Sequence, residues 1–213
     1  MVDVATQQCG DVHFHLLLLQ VRVAHHVAID NVAAAAEATG HLVALGRRRI
    51  AAIGVQHHLA NETARLRLEG YRAALAEAGL PGDPALEVPV GRLHRPDGAE
   101  AMRRLLDGPV PVDAVFCFSD QLALGAMRAA YEAGLHVPGD LAVVGFDDIE
   151  DGRFACPSLT TIAPDKRAIA VRALDCLAER LDGAPAETAR DIVVPHRLVV
   201  RESSSSGSAA DPR

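Results

Sequence analysis

Along this 213-residue chain, four apolar runs each end on side chains that carry charge or form hydrogen bonds. Asn61, Thr63, Arg65 and Arg67 follow RIAAIG (49–54), and Arg92, Leu93 and His94 follow the run near 86–90. Ser119 and Asp120 follow VDAVFCF (112–118), and Asp147 and Asp148 follow LAVVGF (141–146). An arginine offers a rigid fork of donors, carboxylates accept, and amides and hydroxyls do both. Brought to one cleft, such a set suits a small molecule bearing several hydroxyls. Plainer roles are open to the same residues. Asp120 is a good helix N-cap, Asp148 a good turn residue, and Arg67 could lie on a solvated helix face.

Catalytic arrangements are harder to find. Asp147 and Asp148 are adjacent, so on one strand they point to opposite sides and make a poor acid/base or metal-binding pair. The chain has no Gly-rich phosphate loop, HExxH, GxSxG or Cys/His nucleophile pattern, and the expectation is a protein that is not an enzyme and needs no cofactor. Ten histidines include His13-x-His15, His25-His26 and His57-His58, but none has a cysteine or carboxylate partner at ligand spacing, so no metal site is expected. Four cysteines at positions 9, 117, 156 and 176 form no CxxC pair. Cys117 and Cys176 read as reduced core thiols, which points to a reducing compartment.

The elements that would position these side chains form an α/β alternation. From residue 30 onward, helical-period segments alternate with short β-branched runs, the pattern of βαβ units around a parallel sheet. Helices are predicted over Val32–Leu45, from an N-cap at Thr63 to Ala78, over 96–106 and over Asp120–Ala133. A turn-rich stretch DGRFACPS (151–158) precedes the short strand TTI, a helix over Pro164–Leu181 and one final strand near 192–200. In an open parallel sheet, ligands collect outside the carboxyl ends of the strands, which is where the candidate residues stand.

Composition supports a packed globule: hydrophobic residues are 49% and charged residues 23% of the chain. The net charge of −7 argues against a surface that neutralises many phosphates. Leu16 to Leu19 is far short of the roughly 20 apolar residues of a membrane span, and its acidic, interrupted surroundings do not read as a signal peptide. These readings predict a cytoplasmic protein without membrane contact.

The stretches HLVALGRRRIAAIG, RLRLEGYRAALAEAGL, DAVFCFSDQLALGAMRAAYEAGLHVPGDLAVVGFDDIED, PSLTTI and VPHRLVVRESS together resemble the effector-binding core of the lactose-repressor/galactose-repressor (LacI/GalR) family of bacterial transcription regulators. The resemblance runs from about Ile29 to Ser203. It implies a type I periplasmic-binding-protein-like α/β fold, in which two parallel-sheet subdomains joined by three crossovers close over a ligand. On this reading 1–28 is a remnant of the N-terminal subdomain or a divergent segment, leaving that subdomain incomplete. Residues 29–161 are the C-terminal, effector-binding subdomain, and 162–190 carry a helix returning to the N-terminal subdomain. Residues 191–202 are the last strand of the C-terminal subdomain, and 203–213 a disordered tail.

The family's effector-contacting arginine matches Arg67 in RLEGY, and its aspartate after the strand VGF matches Asp147. Its polar residue after DAVFC, often asparagine, matches Ser119. Asn61, Thr63 and Leu93 match variable effector contacts, Leu93 standing where several relatives place an aromatic. The resemblance therefore implies a small-molecule effector of the sugar class and a homodimer. Operator DNA would be a partner only through a helix-turn-helix headpiece that is not recognisable here. The competing expectation is a free-standing sugar-binding protein serving transport or chemotaxis.

Overall fold

The computed structural model describes residues 26–56, 61–183 and 190–205. In chain order the elements are β1 (His26–Ile29), α1 (Asn31–Ala44), β2 (Ile50–Val55), α2 (Glu62–Glu77), β3 (Glu87–Pro89), α3 (Arg95–Leu106), β4 (Ala114–Cys117), α4 (Asp120–Glu132), β5 (Ala142–Phe146), α5 (Glu150–Phe154), β6 (Thr160–Pro164), α6 (Lys166–Leu181), β7 (Asp191–Val194) and β8 (His196–Val199). The chain divides into two compact units, one of residues 1–29 and 165–195, the other of residues 30–164 and 196–213. In the first unit β1 and β7 pair in parallel, His26 opposite Asp191 and Ile29 opposite Val194. Helix α6 buries Cys176 and leaves Val171, Leu174 and Leu181 exposed.

The second unit is built on a six-stranded sheet of order β3-β2-β4-β5-β6-β8, in which only β8 runs antiparallel to its neighbour. Strands β2, β4 and β5 are buried along their whole length. Such strands need apolar side chains on both faces, hence their unbroken apolar runs. Helix α1 packs on α2, and α3 on α4. Right-handed crossovers place these pairs on opposite faces, because β2 leads to a strand on one side of it and β3 back to one on the other. Both pairs approach so closely that a Cβ on Gly70 would lie 2.1 Å from the carbonyl oxygen of Val32, and one on Gly125 would lie 1.9 Å from that of Arg95. Buried Tyr71 donates to the Ile50 carbonyl at 2.7 Å and ties α2 to β2.

Several local expectations are corrected. The N-cap of α2 is Asn61, which accepts from Ala64 N, rather than Thr63. Ser119, not Asp120, caps α4 by accepting from Leu122 N. The stretch read as turns contains the short helix α5. The single final strand is two, because Pro195 has no N–H to continue a ladder: β7 pairs with β1, while β8 pairs with β6. The tail is ordered at its start. Ser203 and Ser204 are buried, and the Ser203 hydroxyl donates to Val143 O at 2.7 Å and accepts from Thr160 N at 2.8 Å. The strand candidate at 13–23, the pairs His13-x-His15 and His57-His58, Cys9 and the tail beyond 205 lie outside the described residues. Cys117 and Cys176 are buried and free, as expected for core thiols. Among the described residues no helix is long and apolar enough to cross a membrane.

Candidate functional site

Strand order reverses between β2 and β4, so the connections leaving their carboxyl ends diverge and open a crevice there. Arg67 spans that crevice from the buried face of α2. Its Nε donates to Asn31 Oδ1 at 3.0 Å, and its Nη1 donates to the carbonyl of Phe118, just past β4. The guanidinium carbon stacks 3.5 Å from the centre of the Phe146 ring. Nη2 lies 3.8 Å from Asp147 Oδ1, an ion pair longer than a direct hydrogen bond. Burial lowers the pKa of Arg67 to about 10, against the opposite pull of Asp147 and Asp120, and the group remains a cation at neutral pH.

Asp147 stands at the end of β5 with its side chain 40% exposed, whereas that of Arg67 is 10% exposed. A buried cation therefore underlies a carboxylate that a ligand can reach. Both Asp147 and Asp148 have positive φ, 106° and 47°, which non-glycine residues seldom adopt. The Asp147 amide is fixed to Ile162 O at 2.9 Å. Asp148 is held differently. Arg201 and Arg153 reach it at 2.6 and 2.9 Å, and although burial alone would raise its pKa, these hydrogen bonds keep it below the ordinary carboxylate range. These two arginines tie Asp148 into the turn after β5.

The other candidates sit on the same edge of the sheet. The Ser119 hydroxyl caps α4 and donates to Leu93 O at 3.4 Å, so the β3 and β4 connections meet there. Asn61 caps α2 with Oδ1 and donates from Nδ2 to Gln56 Oε1 at 2.6 Å, and Gln56 Nε2 reaches Gly91 O at 3.4 Å. Leu93 is half-buried and Thr63 exposed. The structure thus brings Arg67, Asp147, Ser119 and Leu93 onto one chain of contacts through Phe118, and Asn61 joins the loop after β3 through Gln56. Thr63 lies in the first turn of α2 and makes none of these contacts.

Sequence reasoning missed Asn31, Gln56, Phe118 and Phe146. Their contributions depend on packing between elements distant in sequence, and only Phe146, the aromatic immediately before Asp147, carried a local signal. The edge offers a buried cation, an accessible carboxylate, and amide and hydroxyl groups, a set suited to recognition by hydrogen bonds. Among the described residues no group of three or more His, Cys, Asp or Glu could hold a metal ion.

Comparison with known proteins identifies the family. Residues 39–204 match the family model described as a periplasmic binding protein-like domain. The ribose operon repressor of Escherichia coli strain K12 is 44% identical over 144 residues, 68% of this chain and 43% of that protein. The chain spans about half the length of the curated relatives it matches. A LacI-family transcriptional regulator structure from Sanguibacter keddieii is 48% identical with a TM-score of 0.80, covering 85% of this chain and 68% of that one. The regulator CelR, solved in complex with cellobiose, is 36% identical with a TM-score of 0.77, covering 86% and 55%. The family model over residues 39–204 and these similarities show that the chain belongs to the periplasmic-binding-protein-like domain family, in its LacI-type branch.

Proposed function

We propose that the chain senses a sugar-like effector and, within an intact regulator in the cytoplasm, couples that binding to operator DNA through a headpiece. The effector sits over the carboxyl edge of the sheet, engaged by Arg67 and Asp147 and flanked by Asn61, Thr63, Leu93 and Ser119. The observation that supports this most is the buried Arg67 cation lying 3.8 Å from the accessible Asp147 carboxylate at the point where strand order reverses. Vicinal hydroxyls bridge such a pair well, accepting from the arginine and donating to the carboxylate. Effector binding then favours one conformation of the regulator to the extent that it contacts that conformation better. Relatives described as repressors favour this role over transport.

A second copy of the chain is the proposed partner at the outer face of α4. There a cavity of about 590 Å³ is lined by Leu124, Met127, Tyr131, Cys156 and Pro157. Tyr131, which lines it, is 73% exposed, and Phe154, next in sequence to the lining Ala155, is 81% exposed. Sedimentation of wild type and Tyr131→Glu checks it, a dimer becoming a monomer.

Calorimetric titration with D-ribose and cellobiose, sugars named with two of the relatives, tests the effector site. The wild type is expected to bind one of them, and Arg67→Ala and Asp147→Ala are each expected to abolish binding. Binding that survives both substitutions overturns the assignment.

A further inference from the structure

Asp120 is wholly buried and belongs to none of the effector contacts assigned above. From the first turn of α4 its carboxylate faces the ends of β5 and β6. Oδ1 accepts from the Thr161 hydroxyl at 2.6 Å and Oδ2 from the Ile149 amide at 2.8 Å. The same Thr161 oxygen accepts from the Asp148 amide at 3.3 Å, so Asp120 fixes two successive amides of the turn, one directly and one through Thr161. The turn needs fixing, because Asp147 and Asp148 are both held at positive φ, and such conformations persist only where their surroundings over-determine them.

The fold makes room for this carboxylate. A Cβ on Gly145 would lie 2.2 Å from Asp120 Oδ1, so the strand that ends on Asp147 carries glycine opposite it. The charged groups near Asp120 are Asp147, Asp148 and Arg67, with the Cys117 thiol buried beside it. Its two oxygens are ordered by hydroxyl and main-chain donors rather than by a directly bonded cation. Burying a carboxylate in this way is unfavourable for stability, which suggests that the carboxylate serves the turn.

We propose that Asp120 is a positioning residue for the effector site: it holds the Asp147–Ile149 turn in the conformation that aims the Asp147 carboxylate at Arg67. The inference rests on the reading that Arg67 and Asp147 hold the effector. Its first test needs no ligand.

Amide hydrogen exchange is measured on the full chain as wild type, Asp120→Ala and Asp120→Asn. The alanine removes both acceptors, and exchange at Asp148 and Ile149 is expected to rise by about tenfold or more while β4 and β5 keep their protection. The asparagine retains an oxygen for Ile149 N and turns its amide toward Thr161, whose hydroxyl already lies 3.3 Å from Ile162 O. Exchange in this variant is expected to stay within about threefold of wild type. Titration with D-ribose and cellobiose should follow the same order, with binding lost in Asp120→Ala and recovered in Asp120→Asn.

Three results overturn the inference: wild-type exchange in the alanine variant, an asparagine variant that exchanges as fast as the alanine, or faster exchange spread evenly through β4, β5 and β6. Arg67→Ala and Asp147→Ala separate the two claims. If both still bind sugar, the effector reading fails while the dependence of the turn on Asp120 stands on the exchange data.

Discussion

The guanidinium of Arg67 lies flat over Phe146, its carbon 3.5 Å from the ring centre. One face of the cation is thereby occupied by an aromatic, and its edges remain for Asn31, Phe118 and Asp147. A cation over a ring in a dry site is stabilised by about 2 kcal/mol, and the planar fork cannot be replaced by a lysine point charge. Arg67→Lys is therefore expected to weaken sugar binding by about tenfold or more despite keeping the charge. Phe146→Leu keeps most of the volume but removes the ring, and about a fivefold loss of affinity is expected. Titration calorimetry on the two variants decides; wild-type affinity in Arg67→Lys would show that the fork does not matter.

Asp147 is held at φ 106°, where glycine is at ease and other residues are strained. Its ion pair with Arg67 is lost equally in a glycine and an alanine variant, so it cancels between them. Asp147→Gly relieves the strain and Asp147→Ala does not. Urea denaturation should place the glycine variant about 1 kcal/mol above the alanine variant, with sugar binding absent from both. Equal stabilities would mean that the turn is not strained at this position.

The parallel sheet was readable because both faces of β2, β4 and β5 are covered, which forces unbroken apolar runs on the sequence. Caps were less readable: Ser119 and Asp120 are both competent N-caps, and a shift of one residue turned a buried turn anchor into a supposed cap. Arg65 and Arg67 could not be separated by spacing alone. Packing separates them, since Arg65 is exposed and pairs with Glu62 and Glu69 on its own helix, while Arg67 faces inward. Asn31 was out of reach, because its bond to Arg67 joins helices 36 residues apart in sequence.

Ser203 was read as the start of a disordered tail and is instead wholly buried. Its amide donates to Ser158 O at 2.8 Å, and its carbonyl accepts from Val143 N at 2.9 Å. Its hydroxyl satisfies one donor and one acceptor of the main chain, Thr160 N and Val143 O. Ser203→Ala leaves both buried and unpaired, and a loss of about 2–4 kcal/mol is expected in urea with an unchanged denaturant slope. A loss below about 0.5 kcal/mol would mean that these groups find other partners.

Asp120 also makes a prediction about pH. Burial raises its pKa to about 6 from an ordinary 3.8, the hydrogen bonds from Thr161 and Ile149 opposing and Asp147 and Asp148 adding to the rise. The folded chain thus holds this proton more tightly than the unfolded chain. The resulting stabilisation is fully present below the unfolded pKa and is lost as pH rises through about 6. Asp148 works in the opposite sense: its pKa is lowered, so its contribution is lost as pH falls. Subtracting the stability of Asp120→Asn from that of wild type at each pH cancels the Asp148 contribution and leaves the Asp120 titration. The asparagine variant should gain on wild type between pH 4 and 7, by up to about 3 kcal/mol, since each pKa unit is worth about 1.4 kcal/mol. Urea denaturation across that range checks it. A pH-independent difference would mean that Asp120 titrates alike in the folded and unfolded chains, and the turn would then be held by a carboxylate that burial does not perturb.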